Sequence, residues 1–259
     1  MPQSYTSLEA SLHDAFWAAE GPPAELPLLR TFLQNAPGPS LEIGSGSGRL
    51  LLPLLQEGFP VDGLEPSAEM NELCRQSAAR VGLPVTLHQG DMDNWIAPQL
   101  YHSLLIPAFT LQLSASPADT LQHLAAMLKP NGALYLSTFT PRAELSEALP
   151  ENEWYHDQEV TLANGSIATI NTRHRIDREK QILHREHRYM LHSACDELLS
   201  KQESAQSVHW FHRDQLKDML QSAGFVIEKQ FADFKPSRHS LKNALVVTTW
   251  ARRTSLVSD

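Results

Sequence analysis

Cysteine is nearly absent: Cys74 and Cys195 are the only two in 259 residues. That excludes a disulfide scaffold of the secreted kind and makes a reducing cytoplasm the expected compartment. No apolar run approaches the ~18 residues that a membrane-spanning helix needs. The opening MPQSYTSLEASLHDAF has neither a basic stretch nor an apolar core, so no signal peptide is expected. Positive charge is also scarce. Lys and Arg number 21 against 30 Asp and Glu, for a net charge of −9. Nucleic-acid enzymes commonly carry a basic face, so the expected partner is a small-molecule substrate, with no nucleic acid and no membrane. Histidine is the exception, at twelve. The closest pairs, His184/His187 and His209/His212, are spaced by three. On a strand that spacing sends side chains to opposite faces. No cysteine pair assists, and no metal site is expected.

What the chain does have is alternation, with 42% apolar residues to build a core. Residues 1–36 read as helix, broken at Gly21-Pro22-Pro23. Leu41-Glu42-Ile43 is a strand, followed by a glycine turn and a helix from about Arg49 to Gln56. VDGLE (61–65) is a second strand. The helix over 67–82 has Ser67 as its N-cap and Glu69 and Glu72 in its first turns. VTLHQGD (85–91) and YHSLLIP (101–107) are strands. A helix over 116–132, stopped by Pro130 and Gly132, leads to ALYLSTF (133–139). Strand and helix in turn predict an α/β fold: a Rossmann-like, seven-stranded, mostly parallel sheet with helices on both faces.

The pattern changes at Pro141. Residues 159–191 have no helical period, and Asn164-Gly165 signals a two-residue hairpin. Antiparallel strands are expected at roughly 158–163, 166–176 and 181–192, with a fourth near 203–210. A helix over 212–225 and two strands, the second at 244–252, then complete the main sheet. The division is therefore 1–140 with 209–259 as one domain, and 141–208 as an inserted antiparallel β lid.

LEIGSGSGRL (41–50) decides which ligand the sheet holds. A dinucleotide turn is G-x-G-x-x-G; here Arg49 stands where the third glycine belongs, and Gly48 falls one place early. Glu42 lies in the strand before the turn, Glu65 closes the second strand, and Gly90-Asp91 follows the third. Glu42-Ile43-Gly44-Ser45-Gly46-Ser47-Gly48, Glu65, Gly90-Asp91 and Leu128-Lys129-Pro130-Asn131-Gly132 together resemble class I S-adenosylmethionine-dependent methyltransferases. The resemblance covers residues ~38–140 and the elements after 209. It implies S-adenosyl-L-methionine as cofactor, Glu65 on the ribose hydroxyls, and Asp91 near the adenine amine with Met92 against the ring. Ser67–Met70 is similar to the family segment whose methionine packs near the adenosine. The expected cofactor residues are Glu42, Gly44, Ser45, Gly46, Glu65, Pro66, Met70, Asp91, Met92 and Pro107, with Tyr5 and Trp17 from the N-terminal segment. The physical chemistry agrees. A carboxylate accepts two vicinal hydroxyls in charge-assisted bonds, and aromatic rings attract a sulfonium.

After the fourth strand comes Ile106-Pro107-Ala108-Phe109-Thr110, without the (N/D)-P-P-(Y/F) motif of amide and DNA-amine methylation. That favours a small-molecule acceptor. No base is evident there, so the inserted strands supply the candidates: His187 and Tyr189, which share a strand face, and Tyr155. The alternative for each is an ordinary half-buried strand residue. Arg173 and Arg175 read as a solvated basic stripe or as carboxylate binders. Two other functions use the same pocket: intramolecular attack on S-adenosylmethionine with release of methylthioadenosine, and cofactor binding without catalysis.

Overall fold

The structure, a computed structural model, describes residues 5–237 and 240–254; the outermost residues of the sequence-assigned domain, 1–4 and 255–259, lie outside these. In chain order the elements are α1 (Ser7–Ala19), α2 (Leu26–Asn35), β1 (Ser40–Ile43), α3 (Leu51–Gln56), β2 (Val61–Glu65), α4 (Ala68–Arg80), β3 (Leu87–Gln89), β4 (Tyr101–Ile106), α5 (Pro117–Ala125) and β5 (Leu128–Phe139). Then follow α6 (Arg142–Leu145), β6 (Tyr155–Thr161), β7 (Ile167–Asp177), β8 (Ile182–His192), β9 (Leu198–His209), α7 (Arg213–Ser222), β10 (Phe225–Ala232) and β11 (Val246–Arg253). Contacts divide the chain into two compact units, residues 24–140 with 210–259 and residues 1–23 with 141–209.

The larger unit is a seven-stranded sheet in the order β10-β11-β5-β4-β1-β2-β3. Strands β1 to β5 run parallel, while β11 lies antiparallel to both β5 and β10. Side chains alternate across the sheet as a pleated strand requires. Leu104, Ile106, Leu134 and Leu136 pack with α5 and α7 on one face. Leu105 and Tyr135 pack with α2 and α3 on the other. Burying each leucine contributes about 1.5–3 kcal/mol, so this alternation fixes the register.

Ser67 caps α4 as expected, its Oγ accepting the Met70 N–H at 3.2 Å. Two boundaries differ. Helix α5 ends at Ala125, and β5 already begins at Leu128. Lys129–Gly132 is accommodated by a register shift: Tyr101 pairs with Leu128 but Ser103 pairs with Ala133. The bulge admits Pro130, which lacks a ladder donor. Strand β3 is only three residues long, because only Gly63, Leu64 and Glu65 of β2 pair with it.

The smaller unit is a four-stranded antiparallel sheet, β6-β7-β8-β9, with α1 and α6. Helix α1, which the sequence pattern assigned to the cofactor domain, belongs here. Its Leu12 and Phe16 share a core with Ala168, Ile170 and Tyr189. The Asn164-Gly165 turn is not a two-residue loop. Leu162 N–H bonds Ser166 O, and Gly165 N–H bonds Leu162 O, so three residues lie between the bonded pair. Gly165 takes a φ of 82°, the left-handed residue that such three-residue hairpins use.

Candidate functional site

The carboxyl ends of β1, β2, β3 and β4 bring together the residues that the sequence singled out in the larger unit. Glu65 is their hub. Its Oε2 accepts the Gly46 N–H at 3.1 Å and its Oε1 the Ser67 N–H at 2.9 Å. Its carbonyl accepts the Gly90 N–H at 3.3 Å, so one residue ties the loops after three strands. Asn71, not anticipated from sequence, clamps the same turn by donating to the carbonyls of Glu65 and Ser67 at 2.9 and 3.0 Å.

The three turn glycines all have positive φ: 73° at Gly44, 56° at Gly46 and 90° at Gly48. Their surroundings separate them. A Cβ on Gly44 would lie 2.6 Å from Thr110 Cγ2, and one on Gly48 2.6 Å from Cys74 Sγ. A Cβ on Gly46 would meet only Met70 Cε, at 3.5 Å. Gly44 and Gly48 are therefore required by packing, whereas Gly46 borders open space.

Glu42 is 2% exposed, and its Oε2 is buried without a hydrogen-bond partner among the described residues, as is Ser45 Oγ. Burial raises the Glu42 carboxyl well above its usual range; the nearby Glu25 and Glu65 charges add to the rise, and Arg49 opposes it. An unsatisfied buried polar atom costs about 1–3 kcal/mol, and such atoms mark a place where a ligand completes the bonding. The residues thus fit the cofactor that the sequence resemblance implies. Asp91 caps its own turn through Oδ1, which accepts the Asp93 N–H at 3.0 Å. Met92 packs against the core beside Trp95. Pro66 and Pro107 sit in the loops after β2 and β4.

The loop after β4 is strained and pinned. Ala108 and Phe109 have φ of 50° and 65°, a conformation that costs non-glycine residues about 1–2 kcal/mol each. Glu25, 4% exposed, holds it by accepting the Ala108 N–H at 3.0 Å. Gln112 ties the neighbouring turn to β5 through both Phe139 backbone groups, at 3.0 and 2.7 Å. Glu25 gave no sequence signal beyond its place just before Leu26 and Pro27.

The smaller unit contains a cavity of about 550 Å³ that gathers Tyr5, Trp17, Tyr155, His187 and Tyr189, together with Glu9. His187 is fully engaged: Gln206 Nε2 donates to its Nε2 at 2.7 Å, and Thr172 Oγ1 lies 2.9 Å from Nδ1. The Thr172 hydroxyl in turn donates to Asp157 at 2.5 Å. Burial drives His187 down to about 4, so it is neutral with both ring nitrogens committed. The Tyr189 hydroxyl donates to Glu9 Oε1 at 3.0 Å. Burial, followed by the Glu9 charge, raises Tyr189 beyond its usual range. Burial pushes Tyr155 up to about 12. Arg173 is ion-paired with Glu186 at 2.5 Å. Among the described residues, no group of three or more His, Cys, Asp or Glu could hold a metal ion, and no helix is long and apolar enough to cross a membrane.

A family model described as a methyltransferase domain matches residues 17–230. The chain belongs to the methyltransferase-domain family. Among curated relatives, the chain is 28% identical to a malonyl-[acyl-carrier protein] O-methyltransferase of Brevibacillus brevis, over 53% of the chain and 48% of that protein. The chain thus spans about half the length of that relative. Among solved structures, an S-adenosylmethionine-dependent methyltransferase from Clostridium acetobutylicum superposes with a TM-score of 0.77 at 12% identity, covering 95% of this chain and 98% of that one. The CcbJ methyltransferase from Streptomyces caelestis gives 0.77 at 20%, covering 98% and 100%. At these identities the structures establish the Rossmann-like methyltransferase fold.

Proposed function

We propose that the protein is an S-adenosylmethionine-dependent methyltransferase acting on a small-molecule acceptor. The observation that carries the reading is the cradle at the strand ends. Gly46 borders open space, Glu65 holds the turn, and Glu42 Oε2 and Ser45 Oγ are buried without partners among the described residues. When bound there, S-adenosylmethionine supplies an electrophilic methyl group on a sulfonium. The chain's own part is to bind, orient and exclude water. Glu65 is assigned to the ribose hydroxyls, which a carboxylate accepts in charge-assisted bonds. Glu42 offers its buried Oε2 to the ligand, and Glu25 holds the loop after β4 through the Ala108 N–H. Asp91, Met92 and Met70 are assigned to the adenosine. The pinned Pro107-Ala108-Phe109 loop provides a rigid apolar wall, which favours alignment of reacting groups.

Tyr155, His187 and Tyr189 are assigned to the acceptor. Their bonding gives them different parts. His187, neutral and doubly bonded, orients its neighbours and does not take up a proton near neutral pH. Tyr189 positions Glu9. The Tyr155 hydroxyl makes no hydrogen bond among the described residues, and it is the group left to meet a ligand. A small acceptor accords with the net charge of −9 and the apolar loop after β4. The reading places the protein in the cytoplasm.

Incubation with S-adenosylmethionine, alone and with a panel of small acceptors, tests this. The expected product is S-adenosylhomocysteine, formed only when an acceptor is present. Methylthioadenosine formed without an acceptor, or no turnover with any acceptor despite binding, would overturn it.

A further inference from the structure

The cavity of the smaller unit has a chemistry of its own. One wall is a single face of α1, where Glu9, His13 and Phe16 recur at helical spacing. The other is the sheet, where Tyr155 and Asp157 of β6 both line the cavity, Asp157 at a bulge between His156 and Gln158. Four lining residues are acidic: Glu9, Glu20, Glu144 and Asp157. Among the described lining residues Arg185 is the only Lys or Arg, and it is ion-paired with Glu144. The remaining three acids have no lysine or arginine among the lining residues to balance them.

Glu9 is the informative one. It is 8% exposed, yet both of its side-chain bonds, from the Tyr189 and Ser204 hydroxyls at 3.0 and 3.1 Å, fall on Oε1. Oε2 has no partner among the described residues. The lining His13 favours the ionised form of Glu9, against the larger effect of burial, but no lysine or arginine among the described lining residues accompanies this buried carboxylate. The rings beside it, Tyr5, Trp17 and Phe16, offer the π faces and apolar area that organic cations prefer. His187 cannot be the missing cation, since both its nitrogens are committed within the Gln206–Thr172 network.

We propose that this cavity is a binding site for an organic ammonium compound, its charged nitrogen set against Glu9 and Asp157 and its carbon body against Trp17 and Tyr5. As the class of the methyl acceptor this rests on the transferase reading above; as a binding site it stands on the smaller unit alone.

Calorimetric titration of the full chain at neutral pH, with benzylamine and cyclohexylamine against benzyl alcohol and cyclohexanol, tests it. The amines are expected to bind at least tenfold more tightly than the alcohols of the same shape. Glu9→Gln should erase that preference, and so in part should Asp157→Asn at an exposed position, while affinity for S-adenosylmethionine stays unchanged in both. Alcohols that match the amines, or an amine preference that survives both substitutions, would overturn the site. If the amine preference holds but S-adenosylmethionine does not bind, the site stands and the transferase reading fails. If S-adenosylmethionine binds and no amine is preferred, the reading stands and this proposal fails.

Discussion

Replacing each turn glycine with alanine separates the glycine that serves the ligand from those that serve packing. At Gly46, with φ of 56°, alanine incurs the left-handed penalty of about 1–2 kcal/mol. Restricting the unfolded chain returns roughly 0.5–1 kcal/mol. The new Cβ meets nothing closer than Met70 Cε at 3.5 Å, so the net loss is about 1 kcal/mol, or roughly 2–4 °C in Tm for a domain of this size. The same Cβ stands in the open space assigned to the cofactor, and affinity for S-adenosylmethionine should fall at least tenfold, about 1.4 kcal/mol. At Gly48 the Cβ would lie 2.6 Å from Cys74 Sγ and 2.8 Å from Leu52 Cγ. Overpacking of that kind adds about 1–3 kcal/mol, so Gly48→Ala should lower Tm at least twice as far. Thermal melts and calorimetric titration of both variants supply the readout. Wild-type affinity in Gly46→Ala, or a Tm loss there equal to that of Gly48→Ala, would refute the separation.

Glu25→Ala should destabilise by about 1–3 kcal/mol by leaving the Ala108 N–H buried and unpaired, and should lower kcat more than it raises KM; an unchanged melt would remove Glu25 as the loop's anchor. Ala108→Gly should relieve the left-handed strain at φ 50° and raise stability by up to ~1 kcal/mol; a loss measured by calorimetry would mean that the strain is not there. His187 should titrate near pH 4 by NMR of its ring protons. Because its folded value lies below the ordinary 6.5, the unfolded chain binds more protons between those limits, and up to about 3 kcal/mol of stability is lost as pH falls through that window. A midpoint near 6.5 would contradict the doubly bonded ring.

Much of the larger unit was legible because its signals are local. The glycine turn, Ser67 at a helix start and the alternating apolar strands each lie within a few residues of what they specify. What escaped was set by distant partners. Glu25 reads as an ordinary polar residue between two helices until Ala108, 83 positions away, donates to it. Glu9 meets Tyr189 across 180 residues, so the charge balance of that cavity could not be seen in either segment alone. Helix α1 joined the other unit because Leu12 and Phe16 find their core on β7 and β8, a choice that an amphipathic pattern does not encode. The early start of β5 has a similar cause: proline and glycine read as a helix stop, but a strand bulge accepts them equally well.

The central claim, that the cofactor is held at the strand ends with Glu65 as its hub, is tested most directly by calorimetric titration of S-adenosylmethionine into the wild-type chain and into Glu65→Ala. The predicted result is one site in the wild type and a loss of about 1.5–3 kcal/mol in the variant, as expected for charge-assisted bonds to both ribose hydroxyls. Because Glu65 also holds the Gly46 and Ser67 amides, the melt of the variant is recorded alongside to show that it is folded. Equal affinity in a folded variant, or no binding to the wild type, would contradict the account.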